Sequence, residues 1–180
     1  MSKLIRWLYQ KQPGALVRVR ERVGRVIRPL GIAPMTATLS MRVFRDGQVT
    51  DLGIVSTHAV TDVFVQALVD ALQAPVAAFS NYKYHDSGES DTDEEVTDTV
   101  LWLPTGEARD TGTQTEGASA NVYRSIATHT YAGTFAITEH GLFNAASGGT
   151  LMDRSIFTAV DVVTGNSIEF TYQLLCESGG

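Results

Sequence analysis

Cysteine occurs once, at Cys176, so no disulfide can form within the chain and no structural zinc site can be built from thiols. Lysine is scarce, with three in the whole chain. No apolar run approaches the ~20 residues a membrane-spanning helix needs. The first residues, Met1-Ser2-Lys3-Leu4-Ile5-Arg6-Trp7-Leu8-Tyr9, begin positively but lack the unbroken apolar stretch and small-residue cleavage site of a secretory signal. The expectation is a chain made and first used in the cytosol. The catalytic signatures are missing too. There is no Gly-x-Ser-x-Gly elbow and no phosphate-binding glycine loop of either common type. The four histidines, His58, His85, His129 and His140, show no His-x-x-x-His spacing. The sequence therefore predicts no catalytic residue, no metal and no cofactor.

What the chain does contain is a core and a divided charge. Its 180 residues are 43% apolar and 19% charged, which fits one domain with a real core and excludes wholesale disorder. Glycine (16) and threonine (20) are abundant, a bias toward strands and tight turns. The net charge of −6 hides an asymmetry. Residues 1–45 hold ten Lys/Arg against one acid, while residues 46–180 hold four against nineteen. A basic arm (1–35) thus precedes an acidic body (36–180), and such an arm seeks an acidic partner. The body should be repelled by nucleic acid and by anionic membrane.

Within the arm, residues 16–28 set an apolar face of leucine, valines and isoleucine against Arg18, Arg20, Arg22, Arg25 and Arg28. The pattern suits either a strand or an amphipathic helix. Pro29, Gly31 and Pro34 end it. In the body, residues 36–56 predict a hairpin turning on Asp46-Gly47, and 58–73 predict a helix with Val60, Val63, Phe64, Ala67, Leu68, Ala71 and Leu72 on one face. Strands are expected at 79–85, 100–103, 122–131, 134–139, 151–163 and 168–176. The last has Ile168, Phe170, Tyr172 and Leu174 alternating with polar residues. Residues 86–98, with seven acids and no base, predict a solvated or partner-facing loop; the sharper form is a docking surface for the arginine arm of a neighbouring copy. The fold expected is mainly β, an antiparallel β-sandwich, jelly-roll-like, with one α-helix and an extended basic N-terminal arm.

The smaller readings follow the same logic. Cys176 is expected to be a buried structural cysteine beside Tyr172 and Leu174. Glu139 and Arg154 are expected to pair across neighbouring strands for about 0.2–1 kcal/mol. Gly141 is expected to allow a bulge or bend. A His129–Glu139 surface site ranks far below ordinary strand chemistry. For the arm, docking to protein ranks first, nucleic acid second and a membrane surface third.

Several stretches carry a resemblance. Asn81-Tyr82-Lys83-Tyr84-His85-Asp86-Ser87-Gly88, the run from Arg109 to Asn121, and above all Ile137-Thr138-Glu139-His140-Gly141-Leu142-Phe143-Asn144 with Leu151-Met152-Asp153-Arg154-Ser155-Ile156-Phe157, resemble small structural proteins of tailed bacteriophages. Ile-Thr-Glu-x-Gly-Leu-Phe is also similar to a motif of phage tail-collar and fibre proteins. The resemblance covers roughly residues 55–180 and leaves out the basic arm. It implies a virion protein without catalysis, assembled in the host cytoplasm and similar to head decoration (cement) proteins. Its partners would then be the major capsid protein and other copies of itself, a trimer being natural; no nucleic acid or membrane partner is expected. Trp7 and Leu8 would bury apolar surface in a groove of the shell. Arg18, Arg20, Arg22, Arg25 and Arg28 would meet carboxylates. Many weak copies on a lattice would act together. The alternative is a tail, collar or fibre-attachment protein.

Overall fold

The computed structural model describes residues 35–73 and 81–177. Thr36–Leu175 forms one compact unit; the other, Met1–Met35 with Cys176–Gly180, lies almost wholly outside the described residues. The elements are β1 (Met35–Arg45), β2 (Gln48–His58), α1 (Asp62–Gln73), β3 (Tyr84–Gly88), β4 (Asp110–Thr111), β5 (Thr113–Glu116), β6 (Val122–Thr130), β7 (Phe135–Phe143), β8 (Leu151–Val162) and β9 (Ser167–Cys176). They make two sheets, ordered β2-β1-β9-β6-β5 and β4-β3-β7-β8. The two antiparallel sheets pack face to face as a β-sandwich, as the sequence predicts, with one helix among the described residues.

Local chemistry explains the elements. Asp46 (φ 47°) and Gly47 (φ 74°) both take the left-handed conformation, which a two-residue type I′ turn requires between twisted strands. On β9, Ile168, Phe170, Tyr172 and Leu174 are all buried, as are Leu39, Met41 and Val43 of the neighbouring β1. Each such side chain contributes about 1.5–3 kcal/mol on leaving water.

Two features close the sandwich at its sides. Between β4 and β5 the chain steps from one sheet to the other at Gly112, where a Cβ would stand 2.7 Å from His85 Nε2. No larger residue fits there without moving the imidazole. At the opposite side β2 and β8 meet through a hydrogen bond between His58 and Asp153.

Several expectations need correction. The helix starts at Asp62 rather than residue 58, because His58 ends β2 and Thr61 caps the helix, its Oγ1 accepting the Phe64 N–H at 3.3 Å. The same hydroxyl donates to the Leu151 carbonyl at 2.6 Å, tying the helix start to β8. The strand expected at 79–85 is instead Tyr84–Gly88, so it enters the acidic stretch. Residues 100–103 form no strand. β7 runs on to Phe143 without a break at Gly141; its irregularities fall between Ile137 and Glu139 and between Leu142 and Phe143. Cys176 is exposed, since it lies beyond the last pair that β9 makes with β6, Val122 with Leu175. Among the described residues no helix is long and apolar enough to cross a membrane.

Candidate functional site

The strands of the second sheet separate two polar networks, one on each face. Facing the other sheet, His140 lies 4.6 Å ring to ring from Phe170. Its Nε2 is 3.0 Å from His85 Nδ1, and His85 Nε2 is 2.8 Å from Ser125 Oγ. Nearby, Ser56 Oγ lies 2.9 Å from His58 Nδ1, while His58 Nε2 bonds Asp153 and Ser155 Oγ donates to Asp153 at 3.0 Å. Burial pushes the His85 pKa down to about 3, with the charge of Asp110 opposing. Burial also holds His140 well below the ordinary range, helped by His85 and His58. His140 Nδ1 has no hydrogen-bond partner among the described residues. Ser56, His58 and Asp153 are connected in the order of a catalytic triad, yet all three are buried, so the hydroxyl is not presented to a substrate in solution. This chemistry belongs to the core.

On the opposite face, Glu139 and Arg154 are both fully buried. Arg154 Nε donates to Glu139 Oε1 at 2.5 Å, Nη1 to Asp98 Oδ2 at 3.0 Å, and Nη2 to the Thr92 carbonyl at 3.0 Å. The predicted pair therefore forms, as a diagonal contact: Glu139 sits opposite Ile156, two residues from Arg154. It is no surface pair, because the segment 89–104 covers it. Glu139 accepts the backbone N–H groups of Trp102 (2.8 Å) and Leu103 (3.2 Å). Asp98 accepts the Glu95 N–H at 2.9 Å and the Trp102 indole N–H at 3.1 Å. A buried ion cluster is tolerable only when its lone pairs and N–H groups are satisfied in this way.

Apolar packing fixes the same segment. Leu101 inserts against Phe143 and Leu151. Gly141 makes the room, since a Cβ there would lie 2.7 Å from Leu101 Cδ2. Gly88 allows the chain to pass, since its Cβ would lie 2.6 Å from the Leu103 carbonyl oxygen. Glu89 N–H donates to that oxygen at 2.9 Å and Thr105 N–H to the Ser87 carbonyl at 3.0 Å. Thr138 Oγ1 donates to the Ser90 carbonyl at 2.8 Å. Arg109 lies over the Phe143 ring at 3.4 Å and donates to Asp86 at 2.9 Å.

The consequence is a rigidly held loop that turns large apolar groups outward. Val100, Trp102 and Leu103 are 61%, 60% and 55% exposed. Val96 is exposed too, and its carbonyl accepts the N–H of Asp62 at the start of α1. Asp91 and Glu95 stand exposed on the same stretch. The expectation of a solvated acidic loop holds for those two. It fails for Asp98, buried against Arg154, for Asp86, which lies in β3 and pairs with Arg109, and for half-buried Glu89, which accepts the Ala136 N–H.

A third cluster lies at the sandwich side. His129 bonds Asp110 through Nδ1 and Glu107 through Nε2, the latter at 2.5 Å. Burial opposes its charged form, but the hydrogen bonds and charges of Asp110 and Glu107 outweigh that and raise its pKa. The two carboxylates take opposite nitrogens of one ring, so they cannot share a metal with it. No group of three such side chains among the described residues is placed to hold a metal ion. The His129–Glu139 pairing is not formed, because Glu139 is occupied by Arg154 on the far side of its sheet.

The sequence-predicted partner residues Trp7, Leu8, Arg18, Arg20, Arg22, Arg25 and Arg28 lie outside the described residues. Sequence reasoning missed Val100, Trp102 and Leu103 as a surface, because a short continuous apolar run such as Val100–Leu103 is ordinarily read as a buried strand. Pro104 and the flanking acids were the available signal. No protein-family model, curated protein or solved structure matches this chain.

Proposed function

We propose that this chain is a non-enzymatic structural protein of a tailed-phage virion, a decoration (cement) protein that binds and stabilises the assembled major-capsid lattice. The observation that supports it most is what the residues of the resembling motif do. Glu139, Gly141, Phe143, Leu151 and Arg154 all hold the segment 89–104 in place. Their chemistry is architectural, and what they support is an exposed apolar and acidic surface. A basic stretch with Trp7 and Leu8 at its start supplies the complementary means of attachment, in which apolar surface enters a groove of the shell and arginines meet carboxylates.

A second reading, a tail, collar or fibre-attachment protein, draws on Ile-Thr-Glu-x-Gly-Leu-Phe at 137–143. Copy number separates the two. Quantitative mass spectrometry of purified particles should give a ratio near one to the major capsid subunit for a lattice protein. A handful of copies per particle favours the neck, tail or fibre, and none at all sinks both.

A further inference from the structure

The loop 96–103 is built like a docking site. Tryptophan is among the residues most enriched as anchors at protein interfaces, and this one is exposed. Here the loop is already fixed by two hydrogen bonds to buried Glu139, by the Trp102–Asp98 bond and by the Leu101 plug. A partner would therefore pay little to order it.

The chemistry of the occupant follows from the rim. Asp91 and Glu95 are exposed on the stretch of chain that leads into the apolar residues, so the partner should combine apolar residues with positive charge. One segment of this sequence has that composition. Residues 16–28 carry five arginines and one acid among leucine, valines and isoleucine. They lie outside the described residues. Fully extended, the chain from residue 16 to the start of β1 at Met35 spans at most about 65 Å, enough to reach a neighbouring molecule.

We infer that loop 96–103 receives the arginine-rich stretch 16–28 of a second copy, with Trp102 as the apolar anchor and Asp91 and Glu95 meeting the arginines. This deepens the proposed function by naming the carboxylates that the arginines meet, and it leaves Trp7 and Leu8 to the shell. Because donor and acceptor patches differ, the contact is head-to-tail, and it either closes into a ring or runs on from copy to copy.

The test needs no particle, so its failure and the failure of shell binding are separable. Sedimentation velocity of the full-length protein should show association at about 50 mM salt, weakened at least tenfold at 500 mM, as expected for exposed charges under screening. Trp102→Ala (loop disabled) and the five-fold Arg→Gln variant at 18, 20, 22, 25 and 28 (arm disabled) should each weaken self-association at least tenfold. Mixed together they should form a one-to-one complex, since one retains the arm and the other the loop. Val100→Ser provides a second loop variant should Trp102→Ala alter folding, which thermal melting reveals. A wild type that stays monomeric at low salt, association untouched by either lesion, or variants that fail to complement would overturn the inference.

Discussion

Glu139 Oε1 accepts the backbone N–H of Trp102 at 2.8 Å. The acceptor is buried at the middle of β7, and the donor is the backbone of a residue that is among the most exposed large hydrophobics of the described residues. Through this bond the inside of the sheet dictates the position of the outside of the loop. A change to the cluster beneath should therefore be read at the surface above it.

The first expectation concerns the ion cluster. Arg154→Met leaves the buried carboxylates of Glu139 and Asp98 without their cation and should cost about 3–5 kcal/mol, the usual range when one partner of a buried pair is removed. Adding Glu139→Leu should recover part of that loss, since no carboxylate then remains stranded at that position. Urea unfolding of both single variants and the double variant measures the coupling. Costs that simply add would show that the two side chains act independently.

A second expectation concerns space. At Gly88 an added methyl meets the buried Glu139 carboxylate and, at 2.6 Å, the Leu103 carbonyl oxygen; backbone cannot swing aside, so Gly88→Ala should cost about 1–3 kcal/mol. At Gly141 the nearest obstacle is a side-chain methyl of Leu101. Leu101→Ala should therefore soften the effect of Gly141→Ala and do nothing for Gly88→Ala. Equal rescue of both would contradict the packing described.

Acid should weaken the fold through the buried histidines. His85 has its pKa pushed down to about 3 by burial, and His140 is likewise held low. The unfolded chain then binds protons that the native chain refuses at any pH below about 6.5. Stability from these two is complete above that pH and falls progressively as pH drops toward 3, by up to about 1.4 kcal/mol per pH unit for each proton taken up. Denaturant midpoints between pH 4 and 7.5 test this, and a flat profile in that window would refute it.

His129 should act in the opposite sense. Its pKa is raised, net of burial, by Asp110 and Glu107, so its stabilisation is fully present below the unfolded value near 6.5 and is lost as pH rises through the folded value. His129→Gln should therefore lose most relative to wild type at pH 6, and the gap should narrow on going to pH 9. A gap that widens with pH would reverse the assignment.

At the surface the effects should be small. Arg42 pairs with Glu169 at 2.6 Å, but the arginine is nearly half exposed. Arg42→Ala should change stability by no more than about 1 kcal/mol, and less at high salt. A larger, salt-independent loss would mean that packing of the Arg42 stem, whose guanidinium lies 5.8 Å from the Phe44 ring, outweighs the charge.

Much of this protein is decided locally and is legible in the sequence. Asp46-Gly47 specifies the hairpin because its backbone conformation suits only such residues. The alternation from Ile168 to Leu174 specifies a strand with one buried face, and opposite charges at 139 and 154 imply a pair. What covers the other face of a sheet is not written in alternation. Only the tertiary structure lays residues 89–104 over β7 and β8, bringing Trp102 to Glu139 and Asp98 to Arg154 across 37 and 56 positions of chain. That contact turns an ordinary cross-strand pair into a buried cluster and an apparent strand into an exposed apolar loop. Long-range burial decided it, because a side chain's parity records which way it points and not what it meets there.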